Sequence, residues 1–185
     1  MLKKVGVLSI LEGNLLDDVT HFWKHFETKY GTKCFQSFDQ PHLSFLGGYC
    51  REIAPVQNAL AELCQTLNPF ELRIDGFGYF DSPSKVIFLK VLPTEELRKM
   101  HRLLHDAFKQ HCERVIEFYY PDKWTPHITV AMESLTDEDI QRARRDLSGL
   151  YPQYRQMISN VALIEIYDEA GRIESVRTWK LESGQ

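Results

Sequence analysis

The chain has 185 residues, 43% of them hydrophobic, with 26 acidic residues against 22 Lys and Arg and a formal net charge of -4. That length and apolar content suit one compact domain with a sizeable core, and the acidic balance argues against tight binding to long nucleic acid, which needs surplus cations to neutralise phosphates. No apolar run approaches the roughly 20 residues that span a bilayer, and Cys34, Cys50, Cys64 and Cys112 are scattered with no C-x-x-C pair, so a soluble protein with reduced thiols in a cytoplasmic setting is expected.

Lys3 and Lys4 precede an apolar run at 5–11, but Glu12 follows at once without a small-residue cleavage site, so the run reads as a buried strand and not a signal peptide. Asn14 is a possible cap for a helix with apolar positions at Leu15, Leu16, Val19, Phe22, Trp23 and Phe26, ended by Gly31. Residues 42–46 read as a short strand broken by Gly47 and Gly48, and 56–67 as a helix beginning near Pro55. A strand follows at 70–80, then a turn at 81–84.

Residues 86–92 form a near-continuous apolar strand, and Pro93-Thr94-Glu95-Glu96 opens a long helix to about residue 114. After an aromatic loop (Phe118, Tyr119, Tyr120, Trp124), 127–132 reads as a strand and Thr136 caps a charged helix. Two strands at 161–167 and 172–181, joined by a turn at 168–171, close the chain. The first strand recurs after about 81 residues and the first helix after about 80, which outlines an internal duplication with halves of about 1–82 and 83–185.

Two segments share the pattern Pro-His-apolar-hydroxyl-apolar: Pro41-His42-Leu43-Ser44-Phe45 and Pro126-His127-Ile128-Thr129-Val130. On a strand, positions i and i+2 share a face, so His42 projects with Ser44 and His127 with Thr129, while Leu43, Phe45, Ile128 and Val130 face the core. A proline before each histidine places it near a strand start. The chemistry follows from the residue types. A neutral imidazole takes a proton from water or a ribose hydroxyl, an imidazolium gives one to a leaving oxygen, and each hydroxyl donates to a nonbridging phosphate oxygen.

On these two motifs, His42-Leu43-Ser44-Phe45 and His127-Ile128-Thr129-Val130, the chain resembles the two-histidine (2H) phosphoesterase superfamily, which includes RNA 2',5'-ligase-like proteins and cyclic phosphodiesterases. The resemblance covers nearly the whole chain. It implies an α+β, bilobal fold with two antiparallel sheets and outer helices around a central cleft, related by a pseudo-twofold duplication. It also implies catalysis by His42 and His127 and phosphate contacts from Ser44 and Thr129, without metal or cofactor. The expected substrate is a phosphodiester of a nucleotide or short oligonucleotide, either a 2',3'-cyclic phosphate or a 2',5' linkage, processed by a monomer. Where many ligase-like members carry a basic residue after the second motif, this chain has Ala131 and Met132, and Lys123 and Trp124 stand where Arg and Phe often occur.

Tyr119, Tyr120 and Trp124 are candidates for stacking on a base, with a packed loop as the competing reading. Lys85, Lys123 and Arg51 are candidates for further phosphate contacts or ordinary surface charges. Two other functions compete with the phosphodiesterase: a noncatalytic module that holds a nucleotide or RNA end in the same cleft, and a 2',5'-ligase. A metal-dependent hydrolase on His21 and His25, or on His101 and His105, is a weaker alternative, because histidines four apart on a helix are more often solvated faces than ligands.

Overall fold

Each histidine motif opens a strand of its own antiparallel sheet, and the two motif strands pack against one another. The computed structural model describes residues 1–32, 38–167 and 173–182; the expected turn at 168–171, Arg172 and Cys34 lie outside them. Along the chain run β1 (Lys3–Ile10), α1 (Gly13–Tyr30), β2 (His42–Cys50), α2 (Ala54–Cys64), β3 (Phe70–Phe80), β4 (Val86–Val91) and α3 (Glu95–Lys109). They are followed by β5 (Arg114–Val115), a 3-10 turn (Glu117–Tyr119), β6 (His127–Met132), α4 (Asp137–Asp146), β7 (Gln153–Ile158), β8 (Asn160–Ile166) and β9 (Ile173–Lys180). One sheet has the order β5-β2-β1-β8-β9 and the other β6-β4-β3-β7. This is the α+β, two-sheet architecture expected from the sequence.

The duplication is visible in the register. In the first sheet Ser44 faces Leu8 and Leu46 faces Val7, so Phe45 is an extra residue in β2. In the second, Thr129 faces Phe88 and Ala131 faces Ile87, so Val130 is an extra residue in β6. Both bulges therefore fall at the third residue after the motif histidine. A bulge disrupts the ladder and leaves backbone groups without strand partners, and buried carbonyls of this kind must find donors. They do: Trp124 Nε1 donates to Ser44 O at 3.1 Å, His101 Nε2 to Phe45 O at 3.1 Å, and Trp23 Nε1 to Thr129 O at 3.0 Å.

Helix boundaries follow local chemistry. Thr136 forms a capping box with Asp139, accepting from its backbone N at 3.1 Å while the Asp139 carboxylate accepts from the Thr136 N at 2.9 Å. Thr94 caps α3 by accepting from Leu97 N, and Gly31 closes α1 with φ 68. Asn14 is not the cap of α1: the helix starts at Gly13 after Glu12, with no side-chain cap. Helix α3 ends at Lys109, short of residue 114, because Arg114–Val115 pair with Tyr49 and Gly48 as an added edge strand.

Gly47 and Gly48 do not break β2, which continues to Cys50. Their missing side chains allow close approach instead. A Cβ at Gly48 would stand 2.5 Å from Arg114 O and 2.7 Å from the Phe108 ring, and one at Gly47 would stand 2.8 Å from the Tyr119 ring. Strand β7 was not legible in the periodicity because its burial alternates between exposed and half-buried positions along a sheet edge, and only Ile158 is buried.

The expectation of reduced, scattered thiols is corrected. Cys50 and Cys112, 62 residues apart, form a disulfide, and Cys64 is free and buried. The pairing of β2 with β5 brings the end of β2 to the corner after α3, a proximity no spacing motif could reveal. The cysteines therefore give no ground for a reducing compartment. No described helix is long and apolar enough to cross a membrane.

Candidate active site

His42 opens β2 and His127 opens β6, and both are half-buried, as are Ser44 and Thr129 two residues on. The two imidazoles are held alike. His42 Nδ1 lies 2.8 Å from Gln40 O, and His127 Nδ1 lies 2.7 Å from Thr125 O. A carbonyl oxygen only accepts, so each Nδ1 carries the proton and donates, which leaves each Nε2 with its lone pair when the ring is neutral. Two identical anchors, each reaching back two residues from a strand start, thus fix one tautomer in both copies.

The electrostatics favour the neutral rings. Burial pushes both imidazoles below the ordinary value of 6.5, only partly offset by the carbonyl each one donates to. A charge on His127 further disfavours a charge on His42, so the two rings are near enough to sense one another. Aromatic neighbours supply the apolar surroundings: Phe38 lies 5.3 Å from His42, while Phe80 and Phe88 lie 5.0 and 5.2 Å from His127, centroid to centroid.

The aromatic loop divides into distinct roles. Tyr119 lies over Gly47 with its phenol close enough to the Ser44 hydroxyl to interact with it, and burial holds that phenol above its usual range. Trp124 is 7% exposed and stacks on His101 at 3.9 Å with the rings 2° from parallel. Most of its surface is thus packed against the interior and its Nε1 is committed to the Ser44 carbonyl, while its remaining edge lines a cavity beside His127. Tyr120, 37% exposed, meets His105 edge-on, one turn along α3 from the Trp124–His101 stack. Phe118 is 61% exposed and lines the same cavity, of about 330 Å³, together with Phe80, Pro83, Tyr119 and Lys123.

His21 and His25 are exposed, as a solvated helix face requires, but His101 and His105 are not. His101 donates to Phe45 O, and burial pushes its pKa down to about 4, so it is a neutral structural donor. The spacing predicts a solvated face for this pair too; α3 instead turns it inward beneath Trp124 and Tyr120. The candidate phosphate cations are paired: Lys85 with Asp137 at 3.2 Å, Arg51 with Glu113 at 3.0 Å, and Lys123 with Glu117. Such exposed pairs contribute little stability, but they lower the charge offered to a ligand. Sequence reasoning missed the three buried N–H donors at the bulges, because Trp23, His101 and Trp124 are indistinguishable from core residues until the register is known.

A sheet pair with matched histidine–hydroxyl strands defines the class. The sequence signature of the 2'-5' RNA ligase superfamily matches residues 17–170. The chain belongs to that superfamily, and its resemblance to the two-histidine phosphoesterases is thereby established. A Bacillus licheniformis protein curated under the name "Putative phosphoesterase" is 28% identical over 138 residues, which are 73% of this chain and 74% of that protein. Among solved structures, TT0787 of Thermus thermophilus aligns with a TM-score of 0.65 at 18% identity, covering 96% of this chain and 97% of that one. E. coli LigT in complex with 3'-AMP aligns with a TM-score of 0.63 at 16% identity, covering 98% and 99%. At these identities the structural matches establish the fold.

Proposed function

We propose that the protein is a phosphodiesterase that acts on a nucleotide or short oligonucleotide, with a 2',3'-cyclic phosphate or a 2',5' linkage as the scissile group. The observation that carries this reading is the matched pair of Nδ1-anchored histidines, each with a hydroxyl two residues on, at the starts of two strands that pack together. Nucleotide-sized ligands are supported by the fold relatives: LigT has been crystallised with 3'-AMP, ATP and NADP+.

The reaction needs one neutral and one protonated imidazole. The neutral Nε2 takes a proton from the attacking water or hydroxyl as its oxygen bonds to phosphorus. The other ring gives its proton to the oxygen that leaves as the old P–O bond breaks. Ser44 and Thr129 donate to the nonbridging oxygens, where negative charge builds. Exchange of protons with solvent restores the starting pair.

Both histidines have depressed pKa values, so near neutral pH the free protein holds mostly two neutral rings and lacks the acid. The pH profile of kcat/KM, which reports the free protein, is therefore expected to peak below 6.5 and to fall as pH rises. A bound phosphate anion favours imidazolium, so the kcat profile should peak at higher pH than kcat/KM. A kcat/KM optimum above pH 8 would contradict a two-histidine pair. Tyr119→Phe keeps the ring over Gly47 and removes the phenol's polar interaction with Ser44; if that interaction contributes about 1 kcal/mol, as a hydrogen bond does, kcat/KM should fall roughly fivefold. Steady-state kinetics on the preferred substrate would check it.

The decisive experiment is a product-resolved screen of cyclic nucleotides, 2',3'-cyclic phosphate ends and 2',5'-linked oligonucleotides, with EDTA present. Turnover in the wild type and its loss in the double histidine variant support the reading. Tight binding without turnover across the whole panel would favour the noncatalytic module instead.

A further inference from the structure

The sheet that carries His127 also presents a cation and an exposed ring that the acid–base scheme leaves unused. Lys90 lies directly across from His127 in the β4–β6 pairing, and opposed residues project from the same face of a sheet. The lysine therefore shares the face of the candidate site. Its stem crosses Gly78, where a Cβ would stand 2.9 Å from the Lys90 Cγ and 2.3 Å from the Phe88 ring that contacts His127. Among the described residues Lys90 forms no ion pair, in contrast to Lys85, Lys123 and Arg51. Its ammonium lies 6.0 Å from the centre of the Tyr151 ring.

Tyr151 is 62% exposed, yet it is fixed in place. Its hydroxyl donates to Asp75 Oδ2 at 3.1 Å, and Gln153 Nε2 donates to Asp75 Oδ1 at 3.2 Å. The ring edge rests above Gly76, whose φ of 77 and lack of a side chain leave the space, since a Cβ there would stand 3.1 Å from the ring. A clamped aromatic beside an uncommitted lysine has the composition of a single-strand binding step, in which a ring stacks a base and a cation meets the backbone. Across from His42, by contrast, the first sheet places no cation: its partner in β1 is Ile10. Ile10 packs against the small apolar cluster of Leu8, Phe38, Ala162 and Ile164.

We propose that Lys90 and Tyr151 form a subsite for the nucleotide next to the reacting phosphate of an oligonucleotide substrate. The ring stacks that nucleotide's base and the ammonium meets its phosphodiester. The inference rests on the phosphodiesterase reading for the identity of the reacting group, but not for the binding it describes.

The test compares a nucleoside 2',3'-cyclic phosphate with a dinucleotide ending in the same cyclic phosphate, by kcat/KM. In parallel, calorimetry compares a nucleoside 3'-phosphate with a dinucleotide 3'-phosphate. The wild type should prefer the dinucleotide in both assays. Lys90→Met, which keeps the stem over Gly78, and Tyr151→Ala should each lower the dinucleotide-to-mononucleotide ratio about tenfold, while Tyr151→Phe should largely retain it. A ratio that does not move in either variant, or a wild type with no dinucleotide preference, would overturn the subsite. A binding preference that disappears in the variants while no substrate is turned over would support the subsite and count against the phosphodiesterase.

Discussion

Replacing His42 or His127 with alanine is expected to lower kcat/KM by about 10²- to 10⁴-fold, the range that a positioned acid or base contributes. Fold loss is not a competing explanation at these positions. Both side chains are half-buried at strand starts, and the polar anchor each one loses is a bond to a carbonyl two residues upstream. The double variant should be about as slow as the slower single one, because two groups serving one proton circuit act as a unit. Circular dichroism and the denaturation midpoint of each variant would establish that the fold is retained. Full activity in the double variant would end the proposal, whatever the singles show.

The second large effect is structural. Phe45→Ala is expected to destabilise the protein by about 3–5 kcal/mol, the usual cost of truncating a buried phenylalanine. Phe45 is 0% exposed and is the extra residue of the β2 bulge. Its ring lies 5.9 Å from Trp124, and its carbonyl receives His101. Truncation opens a cavity under the residues that hold Ser44, so lower stability and a raised KM should appear together. Chemical denaturation at constant slope would measure the first. A loss under about 1 kcal/mol would mean that the neighbouring rings close the space, and that the bulge does not depend on this side chain.

What could be read in the sequence was what local physics decides. Alternation around His42 and His127 marked both motif strands and their faces, Thr136 marked the α4 cap, and Gly31 marked the end of α1. The near-equal offsets outlined the repeat. What could not be read depended on partners distant in the chain. Gly47 and Gly48 look like breakers until Tyr119, Phe108 and the backbone of Arg114 are seen to occupy the space beside them. The burial of His101 and His105 depends on which face of α3 meets the first sheet, and an alternating polar and apolar helix allows more than one answer. The Cys50–Cys112 bond has the same origin. Tyr151 lies two residues before β7, whose apolar pattern is weak, so nothing local in the sequence places it beside Lys90 and Asp75.

The register also says how the two repeats are joined. The last strand of the first repeat, β3, lies in the second sheet between β4 and β7, and β8, its counterpart in the second repeat, lies in the first sheet between β1 and β9. The donors follow the same crossing: Trp23 of α1 meets the second motif strand, and His101 of α3 meets the first. The exchange is unequal, since the first half contributes only β3 to the second sheet while the second half contributes β5, β8 and β9 to the first. The fused chain thus resembles a strand-exchanged dimer within one polypeptide, with the two histidine strands β2 and β6 in contact where the halves meet.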